Sequence, residues 1–339
     1  MKLQKNGRTL KLIISFVFVA AMLLTGCAKV VTPTDISKTE KTVTNVTTNT
    51  TTVTEEPAET TQYTTVASTP EIIFSSLTGN QGTIYICNPN GSNLQKLIEG
   101  GINTSSAWNR YHSKIVFNSI DPESGVSSLY IFDMESKSKT ILLKRFSPRD
   151  PSFSPDGNTI VFADFVEDGS ENAEIYTMSI DGSNLTKLTD NPSRDYFPKY
   201  SPDGKTIVYS SERNGNIQLY TMSNDGENVK RLMENEFTDN SGSFSPDGLN
   251  IIFNSDRGGN SDIYTINSDG SDEVKILTNN SAGNYDACYS PDGSMIAYRS
   301  NKGLADSMSY DIFVMSANGS NQINITTNLN ATNEFNPSW

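Results

Sequence analysis

Five carboxylates stand at fixed distances ahead of a tetrapeptide that recurs along the chain. SPDG occupies 154–157, 201–204, 245–248 and 290–293, and an aromatic residue precedes each copy: Phe153, Tyr200, Phe244 and Tyr289. Trp108 and Trp339 take the same position where the tetrapeptide is missing. Three residues before the aromatic stand Ser105, Asp150, Phe197, Ser241, Asp286 and Asn336; two further back stand Asn103, Pro148, Asp195, Asp239, Asn284 and Glu334. If the repeats close into a ring, Asp150, Asp195, Asp239, Asp286 and Glu334 converge at one mouth of it. Such a ring of like charges favours a cation or a basic peptide. The same array also fits a blander reading, in which acidic loops only reflect an acidic protein.

Other candidates for chemistry are weaker. The SPDG aspartates Asp156, Asp203, Asp247 and Asp292 read as turn residues: proline sets the second turn position, aspartate fits the third, and glycine takes the positive φ. The single histidine, His112, lies in WNRYH (108–112) where the other copies carry glycine, and reads as an ordinary surface residue. One histidine rules out a histidine cluster on a metal. No GxSxG, CxxC or HExxH pattern occurs. NDG (224–226) and SDG (268–270) resemble pieces of calcium loops without the remaining ligands. Arg213 and Arg257 read as salt-bridge partners that tie neighbouring repeats together.

The elements that must position these residues follow from the repeat. Successive SPDG copies are 47, 44 and 45 residues apart, and each is followed by an apolar run such as TIVFAD (159–164) or TIVYSS (206–211). A second module follows, for example QLYTMSNDGENVKRLM from Gln218, with weaker copies from Thr83 and Ser128. A period of this length built from several short strands is the mark of a propeller blade. The expectation is an all-β, six-bladed β-propeller of four-stranded blades over residues 71–339. EIIFSS (71–76) has no innermost strand before it, and FNPSW (335–339) is an innermost strand with nothing after it. The C-terminal strand is therefore expected to pair into the first blade, which removes two exposed edges.

Residues 1–26 carry Lys2, Lys5, Arg8 and Lys11 ahead of an uncharged run, Leu12 to Leu24, in the layout of a secretory signal. The run ends in Leu24-Thr25-Gly26-Cys27, which resembles a bacterial lipobox. That resemblance implies cleavage before Cys27 and fatty acylation of it. Between Val30 and Thr69, 16 of 40 residues are threonine, a composition too poor in apolar side chains to offset its ordering entropy. Residues 27–70 thus read as a lipidated cysteine and a disordered tether.

The SPDG turns, the following IVF or IIF strand, SERNG (211–215) or SDRGG (255–259), and the IYTM and NDG segments together resemble the WD40-like (PD40) repeats of the TolB propeller family. The match covers 71–339. It implies the propeller fold and an extracytoplasmic binding role. TolB itself carries an α/β domain ahead of its propeller, whereas residues 28–70 offer only the tether. The repeat also resembles propellers of prolyl oligopeptidase-like peptidases, tricorn-type proteases and oligogalacturonate lyases.

Composition narrows the partners. Asp and Glu number 39 against 26 Lys and Arg, and four of those basic residues fall in the signal segment. A surface this acidic is a poor fit to nucleic acid or anionic lipid. Cys87 and Cys288 fall at different repeat positions and are expected as free thiols. The resulting expectation is a monomeric, non-enzymatic binding or scaffold propeller of the bacterial envelope. It engages an envelope protein, a basic peptide or a neutral cell-wall polymer at the channel mouth, touches the membrane only through its lipid anchor, and needs no cofactor beyond an optional calcium or other divalent cation. The alternative is a metal-dependent lyase or lactonase with a cation held by Asp150, Asp195, Asp239 and Asp286. If the carboxylates form this ring, replacing Asp195 and Asp239 by asparagine is expected to weaken ligand binding while leaving the fold and its stability intact.

Overall fold

Short apolar runs bounded by tight turns fold as strands, and the chain has little else to offer. The computed structural model describes residues 70–339 apart from 146, 166–171, 272–273, 305–307, 328 and 330–332. The signal segment, Cys27 and the threonine-rich tether lie outside the described residues. The first strands are β1 (Ile72–Thr78), β2 (Gln81–Cys87), β3 (Gln95–Ile98), β4 (Ile102–Trp108), β5 (Lys114–Ile120), β6 (Ser127–Asp133) and β7 (Ser138–Arg145). Next come β8 (Arg149–Phe153), β9 (Thr159–Phe165), β10 (Ala173–Ser179) and β11 (Thr186–Lys187). They are followed by β12 (Asp195–Tyr200), β13 (Thr206–Ser211), β14 (Gln218–Ser223) and β15 (Lys230–Arg231). After these run β16 (Asp239–Phe244), β17 (Asn250–Ser255), β18 (Asp262–Asn267) and β19 (Lys275–Ile276). The last are β20 (Asn284–Tyr289), β21 (Met295–Ser300), β22 (Asp311–Ser316), β23 (Ile323–Asn324) and β24 (Asn333–Ser338).

The partition into six four-stranded blades is corrected by the hydrogen bonding. Four sheets stand alone with four strands each, β8 to β11, β12 to β15, β16 to β19 and β20 to β23. The other eight strands form one sheet, in the order β24-β1-β2-β4-β5-β6-β7 with β3 also paired to β2. The cause is Gly82. It pairs in parallel with Ile102, its N–H donates to the Gly101 carbonyl at 3.2 Å, and the Gly82 carbonyl accepts from Asn103 Nδ2 at 2.7 Å. A Cβ at position 82 would lie 2.5 Å from the Asn103 nitrogen, so only glycine permits the junction. The last strand, β24, pairs antiparallel with β1, with Ile73 opposite Ser338 and Leu77 opposite Asn333.

The apolar runs are continuous rather than alternating because both faces of a sheet meet a neighbour. In β9, Ile160 and Phe162 pack with Ala107, Val116 and Leu129, while Val161 and Ala163 pack with Ile207, Tyr209 and Met222. Burial of each such side chain is worth roughly 1.5–3 kcal/mol. The outer turns obey a second constraint. Gly226 has φ +88°, and a Cβ there would sit 2.8 Å from the Leu188 carbonyl of the preceding sheet.

The SPDG aspartates are consumed by their turns. Ser201 Oγ donates to Asp203 Oδ1 at 2.6 Å, the Lys205 N–H donates to the same oxygen at 3.1 Å, and Ser201 Oγ accepts from the Thr206 N–H at 3.0 Å. The pattern repeats at Ser154, Ser245 and Ser290, and these hydrogen bonds hold Asp203 below the ordinary carboxylate range. Cys87 and Cys288 are both free.

Glu334 on β24 gives this fold a pH signature. Its carboxyl is fully buried, and burial, followed by a hydrogen bond and repulsion from Asp311, raises its pKa to about 9. In the unfolded chain the group ionises near pH 4.5, so between these values the folded state binds one proton more. The contribution of this group is complete below pH 4.5 and is lost as pH rises through about 9. Urea midpoints are therefore expected to fall from pH 5 to pH 8 by more in the parent than in Glu334→Gln. Equal slopes would show that the group is not protonated in the fold.

Candidate functional site

Strands β4, β8, β12, β16, β20 and β24 together line a central channel of about 290 Å³. A local irregularity in each of these strands shapes it. In β12, Tyr196 pairs with Ser210 and Lys199 with Val208, so the inner strand carries one extra residue. Equivalent bulges interrupt β8, β16 and β20. Within them Asp150 (φ 52°), Phe197 (φ 53°), Ser241 (φ 55°), Asp286 (φ 55°) and, in β24, Asn336 (φ 50°) take the left-handed conformation. All five line the channel. Asparagine and aspartate tolerate this region, but a phenylalanine there is strained, and each such residue costs on the order of 1–3 kcal/mol. Strain of this kind persists when the bulge re-aims side chains for a purpose.

The bulge also sorts the five predicted carboxylates. Asp150 and Asp286 line the channel. Asp195, Asp239 and Glu334 do not, and all three are fully buried between strands. Counting two residues back from the position three before the aromatic assumes an unbroken pleat, and one inserted residue reverses the face. Asp195 Oδ2 pairs with Arg213 Nη2 at 2.9 Å and accepts from Asn191 Nδ2 at 2.7 Å. Asp239 repeats this with Arg257 at 2.8 Å and Asn235 at 2.8 Å. Since Asp195 lies on β12 and Arg213 directly follows β13, these pairs brace one sheet; they do not tie neighbouring repeats. The cation site from Asp150, Asp195, Asp239 and Asp286 does not assemble. Among the described residues no three or more His, Cys, Asp or Glu side chains are grouped to hold a metal.

The two carboxylates that do reach the channel sit in different settings. Asp150 Oδ1 accepts from Ser105 Oγ at 3.2 Å, and Ser105 Oγ in turn accepts from Asn336 Nδ2 at 3.0 Å. Burial raises the Asp150 pKa, against the pull of Arg149 and Lys199. Asp286 lies 2.7 Å from Arg299 Nε, whose guanidinium rests on the rings of Tyr285 and Tyr310 at 4.9 Å.

One charged residue escaped the sequence reading. Lys199 lines the same channel, one position before the repeat aromatic, where Ala107, Ser152, Ser243, Cys288 and Ser338 stand in the other copies. The lysine among small residues was the available signal. Burial lowers its pKa, opposed by Asp150, Cys288 and Asp286. Burial likewise pushes the Cys288 thiol up to about 12. His112 also departs from expectation: it is half-buried and stacks on Trp108 with centroids 4.8 Å apart and planes 5° apart, with φ 51°. Burial lowers its pKa.

Comparison with known proteins fits this geometry. The TolB from Acinetobacter baumannii superposes with a TM-score of 0.69 at 23% identity, over 79% of this chain and 66% of that one. A second TolB-type structure, from Agrobacterium tumefaciens, gives 0.63 at 25% identity, over 75% of this chain and 88% of that one. Dipeptidyl-peptidase 5 from Porphyromonas gingivalis is 36% identical over 69 residues, 20% of this chain and 10% of that enzyme. The chain thus spans about two thirds of the Acinetobacter protein and a tenth of the peptidase. The family model of the TolB beta propeller domain matches residues 120–241 and 234–339. Since these matches together cover more than half of the sequence, the chain belongs to the TolB β-propeller domain family.

Proposed function

We propose that this protein is a binding propeller of the bacterial envelope, held outside the cytoplasm by acylation of Cys27, that captures a basic protein segment at the bulged end of its channel without catalysing a reaction. The observation that carries this reading is the set of residues with left-handed backbone that line the channel, two of them the carboxylates Asp150 and Asp286. Membership of the TolB β-propeller domain family supports it. Asp150 and Asp286 would attract a basic segment against the opposing charges of Arg110 and Lys199 in the same lining, and that attraction weakens as salt screens it.

The test is fluorescence titration with a labelled oligolysine peptide. The double variant Asp150→Asn/Asp286→Asn is expected to bind roughly tenfold more weakly, as for loss of charge-assisted hydrogen bonds. The gap between parent and variant should narrow as sodium chloride is raised. Equal binding by parent and variant at low salt would move the working surface away from this channel.

A further inference from the structure

Among the described residues, four charged ones line the channel, Arg110, Asp150, Lys199 and Asp286, and two opposite charges of these, Lys199 and Asp150, do not meet. Lys199 and Asp150 both line it and interact at a distance, yet neither forms a direct ion pair with the other. Lys199 Nζ has no hydrogen bond or ion pair among the described residues, while the polar contact given for the Asp150 carboxylate is the Ser105 hydroxyl at 3.2 Å. The nearby acid Asp286 is already matched by Arg299 at 2.7 Å. Partly desolvated charges without a direct counter-charge are costly, and a ligand that matches both recovers that cost.

Three further features define the occupant. The channel, about 290 Å³, lies at the lower end of the roughly 300–1,000 Å³ typical of small-molecule sites. Its wall mixes aromatic residues such as Trp108, Phe197 and Trp339 with hydroxylic side chains such as Ser105, Ser241 and Ser243, and the hydroxyls offer both donors and acceptors. The acid sits in a left-handed backbone conformation at its bulge, which sets the direction of its carboxylate before any ligand arrives. A simple anion would leave Asp150 unmatched, and a simple amine would leave Lys199 unmatched. We infer that the channel is a site for a small free α-amino acid, its carboxylate on Lys199 and its ammonium on Asp150 and the Ser105 hydroxyl. This site shares Asp150 with the proposed surface for a basic partner but adds Lys199, so the two can fail separately.

Isothermal titration calorimetry on the purified propeller, with L-alanine, acetate and methylammonium as separate probes, decides it. Alanine is expected to bind, and the two half-ligands to bind roughly tenfold more weakly or worse, each lacking one charge-assisted contact. Lys199→Met should weaken alanine binding by a similar factor while it still melts in one cooperative step. Asp150→Asn supplies the same readout from the other end if the lysine variant does not fold. Absence of alanine binding, acetate binding as tight as alanine, or parent-like alanine binding by a folded Lys199→Met each overturns the proposal. Loss of oligolysine binding with alanine binding intact would sink the proposed function and leave this site standing.

Discussion

Removing Glu334 to Trp339 is expected to lower the melting temperature by more than about 10 °C. Phe335 is 1% exposed and Trp339 8%, and loss of a buried aromatic side chain costs about 3–5 kcal/mol. For a domain of this size each kilocalorie shifts the midpoint by roughly 2–4 °C. The strand also supplies contacts to both of its neighbours. Ser338 Oγ accepts from the Trp108 N–H at 3.3 Å, Asn336 Nδ2 donates to the Thr104 carbonyl at 2.9 Å, and the Pro337 carbonyl accepts from Cys288 Sγ at 3.2 Å. Without β24 the β1 edge is bare, so aggregation should accompany the loss of stability. Differential scanning calorimetry checks both, and a truncated protein that melts like the parent would contradict the closure by β24.

The second large effect concerns Asp239, whose replacement the sequence alone reads as leaving stability intact. Asp239→Ala strands the Arg257 guanidinium against the rings of Phe237, Phe253 and Tyr264, which lie 5.4, 5.5 and 5.2 Å from it. Breaking one side of a buried pair typically costs about 3–5 kcal/mol, because the remaining charge loses its partner. Replacing both residues, as Asp239→Leu/Arg257→Leu, should recover much of that loss. Urea unfolding of the two single variants and the double variant measures the coupling. A single variant within about 0.5 kcal/mol of the parent, the spread of ordinary surface substitutions, would show that the pair does not stabilise the fold. The same argument applies to Asp195 and Arg213, where the guanidinium lies 5.6 and 4.6 Å from the Tyr209 and Tyr220 rings.

What the sequence determined by itself was everything that local chemistry dictates. Proline, aspartate and glycine in SPDG specify their turn wherever they occur, and Ser201, Asp203 and Gly204 behave as those types require. Apolar β-branched runs such as TIVYSS specify strands that are buried on both faces, and FNPSW at the end of the chain, unmatched by a following strand, foretold the pairing of β24 with β1. Tertiary structure decided what depends on register and approach. One inserted residue in β12 and β16 turned Asp195 and Asp239 away from the channel and into ion pairs, which counting along a regular pleat misses. Gly82 let β2 and β4 join into one sheet, because contact between separate repeats is not written in either of them. Lys199 acquired its meaning only when ring closure brought it to the same channel as Asp150. A charge has no counterpart in a one-dimensional reading until the fold sets its distance to the next one, and Coulomb energy depends on that distance and on the water excluded between them.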